Sequence, residues 1–180
     1  MRRLLPFAVP VGIVALVVIV ASCVPTPPPA PRAGPAPAVV SRPVPTPMPL
    51  GSDWRDWPIT PGDWAYRSDG RGSIALFGTV GEDARVTLRC DAAARSLYLS
   101  VAGARATTVT VRTTSLTRAL PVQPVGGGLP YVAAALPVND PLFDAMAFSR
   151  GRFVLDRPGA PPLVVPAWAE VDRVIEDCRG

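Results

Sequence analysis

The chemistry open to this chain is bounded by the residues it lacks. All 18 basic residues are Arg, and there is no Lys and no His. Without imidazole there is no Ser-His-Asp triad, no Cys-His pair and no histidine metal site. Without Lys there is no Ser-Lys dyad and no Schiff base. No glycine-rich loop leads from a strand into a helix; Gly126–Gly128 lies between prolines and reads as a hairpin loop. Carboxylates remain, and a pair of them is what glycan cleavage requires. The candidates are Asp140, Asp144, Glu170, Asp172, Glu176 and Asp177. Asp140 suits a helix cap, and the others suit the solvated faces of helices, where nothing raises a pKa. No Asp-x-Asp-x-Asp loop offers calcium a site. The expectation is no catalytic residue, no cofactor and no metal.

Trp54, Trp57 and Trp64 fall within eleven residues, with Arg55, Asp56 and Asp63 between them and Asp53 just before. Tryptophans spaced with acids can stack on sugar rings or anchor a protein partner. The commoner use is burial, here packing the start of the domain onto its core. Charge excludes nucleic acid as the partner. Arg2, Arg3, Arg32 and Arg42 precede Leu50, so 14 of the 18 Arg face all 14 acidic residues in the remainder, which is formally neutral. No concentrated positive field is left to track a phosphate backbone.

The elements that position these residues come after a different kind of sequence. Arg2-Arg3 opens a positive start, Leu4 to Val20 is apolar, and small Ala21 and Ser22 lead to Cys23. That order marks a secretory signal, and Pro6 and Pro10 keep the uninterrupted run below the ~20 residues of a spanning helix. Val20-Ala21-Ser22-Cys23 resembles the lipobox of bacterial lipoproteins. The resemblance implies a diacylglyceryl group on Cys23, cleavage before it and acylation of the new amino terminus. Several acyl chains anchor stably where one does so only marginally. Val24 occupies the position where Asp favours inner-membrane retention in such lipoproteins, so the resemblance implies the outer membrane, with the domain facing the periplasm.

Residues 24–49 hold 11 prolines. Proline fixes φ and removes the amide donor, so the expectation is a disordered polyproline-rich spacer reaching at most ~80 Å at ~3.1 Å per residue. The organisation is therefore a signal peptide over 1–22, a lipidated Cys and linker over 23–49, and a folded domain over 50–180. About 130 residues are enough for a self-sufficient core.

Within the domain, short alternating or β-branched runs succeed one another between turn residues. Strands are expected at 73–80, 85–91, 96–101, 107–112, 117–123, 130–136, 152–156 and 162–165, which argues for an antiparallel sandwich or barrel. Phe77, Leu88, Leu97, Leu99, Val109, Val111, Val132 and Phe153 should share its core. Two helices are expected. Asp140 caps the first, Pro141 occupies its first position and Gly151 ends it. The second spans 167–178, with Trp168, Val171, Val174, Ile175 and Cys178 on one stripe. The fold class is thus mainly β, with two short helices and the C-terminal one packed on the sheet.

With Cys23 assigned to lipid, two cysteines remain. Period-two alternation places Cys90 on the inward face with Val86 and Leu88; helical spacing places Cys178 inward with Val174 and Ile175. Two inward thiols in an oxidising compartment are expected to pair.

Leu88-Arg89-Cys90 and Ile175-Glu-Asp-Cys178, in that order around a run of strands, resemble small periplasmic accessory proteins of type VI secretion. The stretch Asp140 to Phe153 resembles envelope proteins of alphaproteobacteria that have no known activity. Neither resemblance implies a functional residue here. The expected function is a non-catalytic envelope lipoprotein whose domain binds a protein or cell-wall partner. The alternatives are a carboxylate enzyme acting on peptidoglycan and a periplasmic enzyme inhibitor presenting a loop such as 124–130.

Overall fold

The computed structural model describes residues 50–103 and 108–180. The signal, lipidation and linker expectations, Cys23 among them, fall on residues 1–49 and lie outside the described residues. No helix among the described residues is long and apolar enough to cross a membrane.

The described residues are mainly β, with ten strands in two antiparallel sheets. After a 3-10 turn (Trp54–Asp56) come β1 (Asp63–Asp69), β2 (Gly72–Gly78), β3 (Val86–Asp91), β4 (Ser96–Ala102), β5 (Thr108–Arg112), β6 (Thr117–Pro121), β7 (Gln123–Val125) and β8 (Tyr131–Pro137). Helix α1 (Pro141–Ala147), β9 (Arg152–Arg157), β10 (Ala160–Pro166) and α2 (Ala169–Arg179) complete the chain. The larger sheet has the order β1-β2-β3-β4-β8-β7, the smaller β10-β9-β5-β6.

Register turns sequence alternation into rows across the larger sheet. Trp64, Phe77, Val86, Val101 and Val132 pair in one inward row; Tyr66, Ala75, Leu88, Leu99 and Ala134 form the next. These side chains share one core with Val109, Val111, Phe153, Leu155, Leu163 and Val165 of the smaller sheet, so all eight expected core residues are buried together. Burying each Val, Leu or Phe among them contributes roughly 1.5–3 kcal/mol before entropy is counted. Helix α2 packs its stripe of Val171, Val174, Ile175 and Cys178 against β1–β4, and α1 packs against α2.

The Cys90–Cys178 disulfide joins strand to helix, with Cα atoms 5.4 Å apart. Gly72 is what fits above it. A Cβ there would sit 2.8 Å from the Cys90 carbonyl oxygen and 3.1 Å from its Sγ, and its φ of +141° is one that L side chains rarely adopt.

Several boundaries differ from expectation for local physical reasons. Strand β1 precedes the first strand expected; Trp64 and Tyr66 alternate with Ala65 and Arg67 but bracket too little apolar sequence to stand out. The run 117–123 is two strands that enter different sheets, with buried Val122 at the crossing between Pro121 and Gln123. Helix α1 ends at Ala147 rather than near Gly151, because the chain there turns Ser149 inward. Its hydroxyl donates to the Arg152 carbonyl oxygen and accepts the Thr114 N–H, a local alternative to another helical turn. Helix α2 begins at Ala169, and Trp168 is its extended N-cap. Trp168 is therefore 46% exposed instead of lying on the buried stripe.

Candidate functional site

A strand buried on one face shows alternate residues on the other, and that outer face of the larger sheet is where this domain is unusual. A solvated face is ordinarily polar. Here the outward positions of β2, β4 and β8 include Ile74, Leu76, Tyr98, Tyr131, Ala133 and Ala135. Leu76, Thr87, Ser100 and Ala133 form one outward row; Arg89 pairs with Tyr98 in the next, and Tyr131 with Val125 in a third. Small side chains in the middle and tyrosines to either side make a trough.

The trough is a cleft of about 460 Å³ lined by Leu76, Thr87, Ser100, Tyr98, Tyr131 and Ala133, with Val125 and Leu129 of the β7–β8 hairpin at one wall. Gly126–Gly128 turn that hairpin, as expected, and leave Val125 and Leu129 45% and 46% exposed. A cleft of this size and mainly apolar lining is the ordinary form of a binding site. The Tyr131 hydroxyl donates back to the Ala84 carbonyl oxygen, which fixes one wall. Burial, then the Asp83 charge, pushes its pKa upward, so it stays a neutral phenol.

Arg89 and Arg71 close the other end, and both are engaged. Arg89 holds Asp69 through two hydrogen bonds of 3.2 and 2.8 Å, and Arg71 holds Asp91 at 2.8 Å. The Arg89 hydrogen bonds, helped by the Arg71 N–H, pull the Asp69 carboxyl down to about 2. Asp91 is lowered first by the Arg71 side chain and then by the Ala94 N–H. The end wall is polar without net charge.

The sequence-predicted residues fall elsewhere. Trp64 is in the core: its ring lies 5.4 Å from that of Phe77, and its Nε1–H donates to the Pro166 carbonyl oxygen at 2.8 Å, tying β1 to the end of β10. Trp54 and Trp57 are half-buried in the segment leading to Thr60, whose N–H and hydroxyl bond the backbone of Val164. Arg55 stacks on Trp54, and the Trp57 indole donates to the Gly51 carbonyl oxygen. The three tryptophans therefore form no common surface, because one of them is spent on the core.

The candidate carboxylates are dispersed as well. Asp140 caps α1 and accepts from Arg118; Asp144 and Glu176 both meet Arg179; Asp177 accepts from the Tyr66 hydroxyl at 2.6 Å, beside Arg173 stacked on the Tyr66 ring. That bond to Asp177 is the main cause of a raised Tyr66 pKa. Glu170 keeps one buried oxygen without a partner. Among the described residues, no three Asp, Glu or Cys side chains gather where they could hold a metal ion.

Of the cleft residues, only Val125 and Leu129 fall in a segment that the sequence marks for binding, the 124–130 loop; the others carry no chemical signature of their own. Their signal is in the alternation: the positions opposite the core face are leucine, tyrosine and alanine where a solvated face would carry charge. No protein-family model, curated protein or solved structure matches the chain.

Proposed function

We propose that this chain is a non-catalytic lipoprotein of the bacterial envelope, anchored through Cys23 in the outer membrane, whose domain takes an apolar segment of a protein partner in the cleft beside the β7–β8 hairpin. The observation that carries the proposal is the outer face of the larger sheet, where Leu76, Tyr98, Tyr131, Val125 and Leu129 surround a trough of about 460 Å³. A concave, mainly apolar cleft with a few polar groups at one end is the form that sites for apolar ligand groups ordinarily take. The paired Arg89–Asp69 and Arg71–Asp91 at its end supply polar orientation with no excess charge. Glycan cleavage is disfavoured because no Asp or Glu of the described residues lines the cleft, and the two acids that hold its arginines, Asp69 and Asp91, have their pKa lowered where a general acid needs it raised.

The test places a photo-crosslinking amino acid at Ser100, in the trough, or at Ala119, exposed on β6, in the full-length chain in cells. Ser100 is expected to yield a discrete protein adduct that Ala119 does not, and Ala133→Arg is expected to abolish it by filling the floor. Equal adducts from both positions, or none from Ser100, would overturn the proposal. Attachment to glycan strands would replace the protein partner with the cell wall.

A further inference from the structure

Sheet edges expose unpaired backbone donors and acceptors, and folded proteins blunt them. The two strand orders leave four edges: β1, β7, β10 and β6. Three of them are guarded. Strand β7 has three residues with Pro124 at its centre, and β6 has five and stops at Pro121. Strand β10 contains Pro161, Pro162 and Pro166, and Thr60 takes both the N–H and the C=O of Val164. Strand β1 runs seven residues without proline, and among the described residues its backbone bonds only to β2.

We infer that a second copy of this chain occupies that edge, pairing β1 antiparallel to β1 and continuing the larger sheet across a twofold axis. The backbone phase and the charges select one register. Only Gly70 and Arg71 connect β1 to β2, which makes Asp69 and Gly72 the first hydrogen-bonded pair. Asp63, Ala65, Arg67 and Asp69 therefore turn their backbone groups toward β2, while Trp64, Tyr66 and Ser68 turn theirs outward. Outward groups must meet outward groups, so the twofold passes through a residue, and pairing five or more residues of each strand leaves 65, 66 or 67. An axis at Tyr66 sets Asp63 against Asp69 of the second copy, and one at Arg67 sets two arginines face to face. An axis at Ala65 sets Asp63 against Arg67 of the second copy, twice by symmetry. These pairs fall at the non-hydrogen-bonded sites, where opposed side chains come closest.

Asp63 and Arg67 are both exposed, and neither belongs to an ion pair of the described residues. Asp69, on the same face, is already held by Arg89. Charges on an edge strand repel a partner strand when they meet their like. These two are self-complementary under a twofold, the condition a symmetric interface must satisfy. Ala65, at the axis, is small enough to let the strands close.

The full-length chain tests this with Ala65→Cys, oxidised and run on a non-reducing gel, beside Ala119→Cys on β6 as a control. The intact Cys90–Cys178 bridge is verified by mass in each. Ala65→Cys is expected to give a covalent dimer and Ala119→Cys none. Adding Asp63→Arg or Arg67→Asp turns two attractive pairs repulsive and should lower the dimer yield about tenfold. Adding both together should restore it. All substituted positions are on the surface, so folding is spared. No dimer from Ala65→Cys, equal yield from Ala119→Cys, or a yield indifferent to the charge exchange would overturn the inference.

Discussion

Reducing the Cys90–Cys178 bridge should remove a large part of the stability of this domain. The bridge closes a loop of 88 residues. On the chain-entropy model, freeing such a loop in the unfolded ensemble costs roughly 4–5 kcal/mol. Domains of this size are stable by about 5–15 kcal/mol in total, so the loss is roughly a quarter or more of the whole. Both sulfurs lie in the core, Cys90 fully buried and Cys178 4% exposed. Replacing both by Ala should therefore cost a further ~1–2 kcal/mol in lost packing beyond reduction alone. The assay is urea unfolding of the same protein with and without reductant. With a slope of about 2 kcal/mol per molar, the midpoint should fall by roughly 2 M. The slope itself should rise, because an unfolded chain freed of the crosslink exposes more surface. Cys178→Ala alone should match the double variant to within the packing of one sulfur. A midpoint unmoved by reduction would refute the reasoning. It would mean that the bridge only pins the last turn of α2, and that the helix contributes little to closing the core over β2 and β3.

Leu88→Ala, at a fully buried position in the middle of an inward row, should cost about 3–5 kcal/mol in thermal or chemical unfolding; a change within error would displace Leu88 from the core. Gly72→Ala should lower the melting temperature even though it adds only a methyl group, since that carbon would meet the Cys90 carbonyl oxygen at 2.8 Å; an unchanged melt would show that the turn shifts freely. The carboxyl of Asp69 titrates near 2 when folded, below its ordinary 3.8, so its ion pair stabilises the fold above about pH 4 and is lost as pH falls through about 2. Carboxyl-resolved NMR should find Arg89→Gln returning Asp69 toward 3.8, and no movement would assign the shift to another group. Cys23→Ser should abolish metabolic labelling with palmitate, and persistent label would place the lipid elsewhere.

Much of this protein is settled by local sequence alone. The absence of His and Lys removes whole classes of chemistry before any fold is known. Alternation in β3 and helical spacing in α2 aim Cys90 and Cys178 inward independently, and the packing of α2 on β2 and β3 is what brings them together. Phe77, Leu88, Val111 and the other core positions are legible for the same reason: which side of a strand a residue takes depends on parity, a local property. What parity cannot decide is which strand lies beside which. Trp64 looked like its neighbours Trp54 and Trp57 until the close of β10 brought the Pro166 carbonyl oxygen to its indole. The run 117–123 has no internal mark for a change of sheet at Val122, because the crossing is set by where β5 and β8 already lie. The cleft belongs to the same class. Its residues come from β2, β3, β4, β8 and the β7–β8 hairpin, and each alone is an unremarkable outward side chain. Only the order β1-β2-β3-β4-β8-β7 sets small beside small and tyrosine beside arginine, because a surface spanning five strands is made by long-range pairing that no window of sequence contains.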